Sequence, residues 1–588
     1  MKNHNPRKPP LTEEQGKPVH NLYSDHVQGR GRPLAERLWG RIPADMSQAY
    51  ALIKEVRGRY GATPADIEGL KRAMKAQLRR LGVLTGSVEE SIDRLENGVV
   101  EAGQQPMCLG GPSLILNKIA YARSLCDLGG DGFVPLFYNA DYDGVQAELL
   151  KMRLPSPSPR GLLISYPAGP EYEGSPIRLL PNPPEEWLEK TLEKIVGNYR
   201  GLLRGRDERV QERALQNLDH ALTVLKGAYY STENVSDWSA KTLGHLLNVE
   251  SNLGVPVISP SDPGMRGFFQ QGYEQLLSEP NRSQFIEASN ETVELIEAAG
   301  YRSQIGRRGD DYVPFFLECT NTECNRTRIE LKYSKEGSTN SIARGKCPRC
   351  GEVHEISFKA RSPDLSDWID WISPRVDSRQ VIVDSAFPVL AHVGGPGETS
   401  YYAEVIPGVR PLDIPFPVYL RYTRAFYNTP WNEGRAEALR ERGFITLMRE
   451  ELFSALTSWV EARNEGNSER LKGAHRLIRE VIQGTYEGLL ERTESLQAEI
   501  DGIKGRLRNP ADRASLIGEM RERQTLVHEL ENYLSSAFGR FSVERFGQEV
   551  SWAWLDLAIV SGLGDLLGAY LRQYNEQTPN SSVYFINL

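Results

Sequence analysis

The chain has 588 residues, 39% hydrophobic and 25% charged, with 70 Lys and Arg against 78 Asp and Glu for a formal net charge of −8. That length exceeds one hydrophobic core and implies two to four structural units. The acidic balance excludes a general basic footprint for nucleic acid, although Arg-rich spots at 204–209 and 306–308 leave room for local patches.

Residues 1–33 are polar and rich in Pro and Lys/Arg, and are expected to form a flexible tail. They lack the apolar run of a signal peptide. From about 43 to 97 the pattern is helical, with Thr63-Pro64-Ala65-Asp66 opening one helix through a capping Thr and a Pro in its first turn. Short apolar runs then alternate with amphipathic helices. Val99-Val100 is followed by a helix over 113–127, and further runs lie at 133–138, 162–165, 255–258, 388–393 and 415–420. Such runs separated by helices predict a parallel sheet covered on both faces, hence an α/β fold. Ligands of such sheets bind beyond the carboxyl ends of the strands.

The C-terminal part changes character. Ile482, Tyr486, Leu489, Thr493, Leu496, Ile500, Ile503 and Leu507 step by four and three, a heptad seam. Asn509-Pro510-Ala511-Asp512 interrupts the helix, and the seam resumes at Leu516, Met520, Val527, Leu530 and Leu534. The pattern predicts an antiparallel coiled-coil hairpin over about 470–538, with two long helices lying on a globular core as the alternative. The most apolar stretch, 552–571, is broken by Asp556 and Asp565, so no membrane span is expected.

Six cysteines are too few for a disulfide scaffold in a chain this long. This favours a reducing compartment, the cytoplasm. Four of them fall together as Cys319-x4-Cys324 and Cys347-x2-Cys350, with alternating strand-like segments at 328–333 and 353–358. Two knuckles with four thiolates match the sulfur shell of a structural zinc, in a zinc ribbon inserted into the larger fold. Unligated cysteines, two disulfides or a ribbon without metal are the alternatives. His354 reads as a strand residue beside four sufficient ligands. Cys126 reads as core, and Cys108 as packing in the absence of a nearby activating base.

Two glycine loops end predicted strands. Gly103-Gln104-Gln105-Pro106 and Gly110-Gly111-Pro112-Ser113 precede the helix carrying Lys118. A glycine-rich turn at a helix start suits an anion, and Lys118 either turns back toward that loop or is plain surface. His392 and Gly394-Gly395-Pro396-Gly397-Glu398 end a later strand. If the two loops converge, they form one crevice. Asn139-Ala140-Asp141-Tyr142-Asp143 offers two carboxylates for a hydroxyl, an amine or a magnesium ion, or for capping and turn formation.

The stretch Val99 to Pro106, Gly110-Gly111-Pro112-Ser113 and Lys118-Ile119 resembles the opening motif of the bacillithiol biosynthesis cysteine-adding enzymes. So does Val134-Pro135-Leu136-Phe137-Tyr138 with Asp143 behind it. Ser373-Pro374-Arg375-Val376, Arg379, Asp384 and 388–398 are similar to a second block, and 254–263 to a third. The resemblance covers about 90–430 and extends to a C-terminal coiled coil.

It implies a class I synthetase-like Rossmann core with an inserted connecting region. The corresponding division is a core over 34–315 and 361–435, a zinc ribbon over 316–360 and a helical unit over 436–588. It further implies ligation of cysteine to the amine of an amino-sugar conjugate, glucosaminyl malate, with ATP or another nucleotide to activate the carboxyl group. On this reading Lys118, Asp143, His392 and Glu398 are catalytic. Gly103, Gln104, Gln105, Gly111, Pro112, Ser113, Asp141, Gly394, Gly395 and Gly397 bind substrate or nucleotide.

Two features depart from the family. The histidine of the acidic cluster after the second strand is missing, and only Asp143 matches there. The four-cysteine ribbon is also foreign to the family's pattern. A tRNA-binding synthetase-like protein and a noncatalytic scaffold dimerising through the coiled coil are the rival readings.

Overall fold

The computed structural model describes residues 22, 32–60, 66–147, 149–156, 161–204, 207–428, 433–465, 468–507, 513–538, 549, 552–580 and 583–587. Most of the expected tail, the Thr63 cap and the break at 509–512 lie outside the described residues. Asp66 caps the helix Ile67–Leu81 by accepting from the Gly69 N–H.

The core is a five-stranded parallel sheet of β1 (Val99–Gln104), β2 (Val134–Asn139), β3 (Val257–Ile258), β4 (Val389–Gly394) and β5 (Val418–Arg421). Their spatial order is β5-β4-β1-β2-β3. The chain steps outward from β1 on one side and later fills the other side with β4 and β5. The order therefore reverses between β1 and β4, the place where open α/β sheets form a ligand crevice. Every residue of β2 and β4 is buried, which is why these strands read as continuous apolar runs. Three helices flank the reversal: α1 (Leu114–Asp127) after β1, α2 (Arg379–Ala386) before β4, and α3 (Pro396–Val409) after β4.

The run at 162–165 does not join this sheet. Leu162–Ser165 pairs antiparallel with Lys151–Leu154 in a separate two-stranded unit. Leu163 is 44% exposed, so one face of the unit meets water, unlike a core strand.

A second sheet of five antiparallel strands has the order Ile372–Pro374, Tyr312–Glu318, Arg328–Glu336, Asn340–Lys346, Val353–Lys359. The two cysteine pairs occupy the turns at one end of it.

Beyond β5, α4 (Thr485–Arg506) and α5 (Arg513–Phe538) pack together. Leu489, Leu496 and Ile500 share a buried cluster with Val527, Leu530 and Leu534. Arg523 pairs with Glu499 across the two helices at 2.8 Å. The end of the region expected to be helical returns to the core. Val583–Asn587 pairs parallel with Arg424–Asn428, and the Trp554 indole N–H donates to the Leu109 carbonyl at 2.8 Å. Among the described residues, no helix is long and apolar enough to cross a membrane.

Candidate functional site

The two strand-end glycine loops converge at the β1/β4 reversal. Lys118 projects from α1 with its side chain almost fully buried. Its ammonium donates to the Gly103 carbonyl at 2.9 Å, to Gln104 Oε1 at 3.4 Å and to Glu398 Oε2 at 2.6 Å. Glu398 in the first turn of α3 also accepts from the Gly395 N–H at 2.7 Å. Gly394 is required here, since a Cβ would fall 2.4 Å from the Tyr419 hydroxyl.

His392 lies between two carboxylates. Its Nδ1 is 3.3 Å from Glu101 Oε2 and its Nε2 is 3.4 Å from Glu398 Oε1. Burial disfavours charge on the ring, but the two carboxylates outweigh it and raise the imidazole pKa. Burial likewise opposes ionisation of Glu398, yet Lys118 and His392 hold its carboxyl well below the usual range. The His392 ring stacks on Tyr402, centroids 4.8 Å apart. Gln380 of α2 continues the network, donating to Glu101 at 3.1 Å and to Asp384 at 2.7 Å. His392 is 6% exposed, and both ring nitrogens are engaged, so its geometry suits holding charge and position at this junction.

The expected pair of carboxylates is divided between two tasks. Asp143 is held by Arg379 Nη2 at 2.9 and 3.0 Å and by Gln105 Nε2 at 2.9 Å. Gln105 in turn accepts from Gln104 at 2.8 Å. Asp141 is buried and accepts from the Ser261 N–H, the Ser261 hydroxyl and the Ser236 hydroxyl. It fastens the turn after β3 to the end of β2, and burial raises its pKa to about 6. With these partners the two side chains do not form a magnesium-binding pair.

Gly111, Pro112 and Ser113 also have a different setting. Gly111 adopts φ +94, and a Cβ there would meet Ile115 at 2.6 Å. The Ser113 N–H donates to the Trp552 carbonyl at 2.9 Å, and the Ser113 hydroxyl is 3.0 Å from that of Tyr427. The returning C-terminal segment thus occupies the Ser113 N–H, one of the donors expected to serve an anion. Glu101, Gln380 and Arg379 were not singled out by residue chemistry alone. The signal for Glu101 was a carboxylate within a buried apolar strand, which requires a partner.

A cavity of about 700 Å³ opens beside the crevice, with Gln105, Asp143, Arg379, Gly397 and Tyr401 on its near rim. At the far end of the antiparallel sheet, the four thiols Cys319, Cys324, Cys347 and Cys350 lie within 4.8 Å of one another. Cys319 and Cys350 sulfurs are 3.8 Å apart, and Cys324 and Cys347 sulfurs 3.9 Å. A zinc tetrahedron with Zn–S of about 2.3 Å has S···S edges of about 3.8 Å, whereas a disulfide bond is about 2.05 Å. The donor set therefore fits zinc. His354 Nε2 lies 3.4 Å from Cys319 Sγ, placing it against a ligand. Cys108 and Cys126 are buried, and burial pushes both thiols up, as packing residues require.

A family model described as "Bacillithiol biosynthesis BshC, N-terminal Rossmann-like domain" matches residues 35–422. Relatives named "Putative cysteine ligase BshC" are similar to this chain at low identity. The one from Carboxydothermus hydrogenoformans is 25% identical over 471 residues, 76% of this chain and 77% of the relative. The one from Lysinibacillus sphaericus is 23% identical, covering 79% and 89%. Against the Cytophaga hutchinsonii protein the match, 25% identical, spans little more than half of each chain, 58% and 56%.

Proposed function

Since this chain belongs to the BshC family of bacillithiol biosynthesis proteins, we propose that it is an ATP-dependent ligase. It joins the carboxyl group of cysteine to the amine of a small amino-sugar conjugate, glucosaminyl malate. The observation that carries this reading is the buried Lys118–Glu398–His392 cluster at the β1/β4 reversal, beside an open cavity rimmed by Asp143 and Arg379.

A carboxylate is a poor acylating agent, so it must first bond through oxygen to a phosphorus of the nucleotide, with ADP or pyrophosphate leaving. The amine nitrogen then bonds to the acyl carbon as the bond to the activated oxygen breaks. Phosphate or AMP departs, and the amine loses a proton. Asp143, oriented by Arg379 and Gln105, holds the incoming neutral amine by accepting one of its N–H groups, and takes up that proton. Lys118, Glu398 and His392 fix the two loops against each other, so that the reacting groups meet in one geometry. The nucleotide belongs over the carboxyl ends of β1 and β4. There Gly397 leaves the first turn of α3 open, with nothing within 4 Å of where a Cβ would lie.

We read Cys319, Cys324, Cys347 and Cys350 as ligands of a structural zinc in a ribbon, supported by their spacing and sulfur separations. Four thiolates leave the metal no open position, so no step is assigned to it. The reading is tested by incubating the purified protein with ATP, cysteine and glucosaminyl malate and searching for the amide by mass. The product mass should equal the sum of cysteine and acceptor less one water, with nucleotide consumed only when both are present. Nucleotide stability and no amide across a panel of amines would reject it.

A further inference from the structure

Glu318 ends the strand Tyr312–Glu318 one residue before Cys319, and its side chain is fully buried. Three guanidiniums share that one carboxylate. Arg178 Nη2 lies 2.7 Å from Oε2, Arg266 Nη2 lies 3.0 Å from Oε1, and Arg326 Nε lies 3.0 Å from Oε2. Among the described residues, none of the three has a second carboxylate within ion-pair distance. A buried anion carrying several cations contributes little net stability, because desolvation of every charge opposes the attraction. What such a network supplies is fixed geometry.

The three arginines come from different segments. Arg326 follows Cys324 in the same turn and lies 4.1 Å over the Trp371 ring. Arg178 and Arg266 reach Glu318 from segments that hold the loop after β2. Residues 175–178 run antiparallel to 141–145 as a backing strip. The Val145 N–H donates to the Ser175 carbonyl at 2.9 Å, the Ile177 N–H to the Asp143 carbonyl at 2.8 Å, and the Arg178 N–H to the Asp141 carbonyl at 3.1 Å. Arg266 follows the turn after β3. Its Nε donates to the Ser261 carbonyl at 3.3 Å, and the Ser261 N–H donates to Asp141 at 3.1 Å. The loop that presents Asp143 is therefore fastened to two segments, and both end on one carboxylate of the cysteine-bearing sheet.

We propose that Glu318 is a positioning residue for the amine step, setting through Arg178 and Arg266 where Asp143 stands in the crevice. The cysteine-bearing sheet thus braces the reacting loop from behind. The effect on the amine step rests on the ligase reading above; the bracing does not.

Amide hydrogen exchange and ligation kinetics on the same full-length variants separate the two. Arg178→Gln breaks one arm and leaves the Arg266 arm in place. Exchange over 141–145 and 175–178 should rise about tenfold or more, while exchange over β2 stays as in wild type. The kcat for amide formation should fall about tenfold to a hundredfold, the effect of a small misplacement of a reacting group. The KM for ATP should stay within about twofold, because the nucleotide lies over β1 and β4. Arg178→Lys, which keeps the charge toward Glu318, should recover most of the lost kcat. Glu318→Asp draws the carboxylate back by one methylene and should reproduce both the faster exchange and a lower kcat. Arg326→Gln removes an ion pair to the same carboxylate without touching the backing strip, and should lower kcat less than about threefold. Unchanged exchange over the strip in Arg178→Gln, or equal kcat losses in Arg178→Gln and Arg326→Gln, overturns the proposal. A wild-type protein that ligates, with Arg178→Gln ligating at the same rate, removes the positioning role and leaves the ligase. A wild-type protein that forms no amide removes the ligase reading and the amine step with it, leaving the bracing that exchange detects.

Discussion

Lys118 and Glu398 meet at 2.6 Å although 280 residues separate them. The contact joins α1 to the first turn of α3 and so ties the two halves of the sheet together where the strand order reverses. The ammonium also reaches Gly103 and Gln104, which accounts for its three protons. A charge pair this buried offsets its desolvation only because those further hydrogen bonds are made.

Breaking the pair from one side leaves a buried charge unmatched. Lys118→Met should cost about 3–5 kcal/mol, read by urea unfolding, and should abolish ligation. In the double variant with Glu398→Gln the loss should be smaller than the sum of the single losses. Additive losses would mean that the two groups do not support each other.

His392 and Glu398 give opposite pH signatures. A raised imidazole contributes its full stability below its unfolded pKa of about 6.5 and loses it as pH rises through the folded value. The depressed Glu398 carboxyl contributes fully above about 4.3 and loses it as pH falls. The His392→Gln variant should therefore lose stability less steeply than wild type above about pH 6.5. An unchanged slope in urea midpoints would assign the alkaline loss to other groups.

Glu549 is buried where the C-terminal segment returns to the core, and accepts from Asn117 at 2.9 Å while its second oxygen has no partner. Burial raises its pKa to about 7, with the Asn117 bond opposing. Stability owed to its protonated form is lost as pH rises from about 4.3 through 7. Glu549→Gln keeps the neutral shape, and should raise stability at pH 8 by about 1–3 kcal/mol while changing little at pH 5. No gain at pH 8 would show that Glu549 is ionised without penalty.

Metal analysis should find about one zinc per chain, bound by the four thiolates. Cobalt replacement should give thiolate charge-transfer absorption that is lost in Cys347→Ser. Chelation should loosen the antiparallel sheet, seen as faster amide exchange over 328–359. A metal-free protein with full exchange protection would contradict the ribbon.

Much of the core was legible because fully buried parallel strands need unbroken apolar runs. The residues of β2 and β4 announce themselves in this way, and the cysteine spacing marked its cluster. Leu162–Ser165 misled because four apolar residues read alike whether one face is covered or two. Lys118 and Glu398 could be flagged from their loops, but their contact depends on strand order, which no local pattern carries. Gly111-Pro112-Ser113 looked free for an anion. One donor it offers, the Ser113 N–H, is taken by the Trp552 carbonyl, more than four hundred residues later. Arg379 and Gln380 sit in a short helix, and the carboxylates they bind come from the loop after β2 and from β1, so their roles as partners of Asp143 and Glu101 emerge only with the fold.

Oxygen-18 follows carboxyl activation atom by atom. Cysteine labelled in both carboxyl oxygens is incubated with the protein, ATP and glucosaminyl malate, and the released phosphate or AMP is examined by mass. One labelled oxygen is expected in that product for each amide formed, and none with Asp143→Asn, which should form no amide. Amide formation with no label in phosphate or AMP, or nucleotide turnover independent of cysteine, would contradict carboxyl activation.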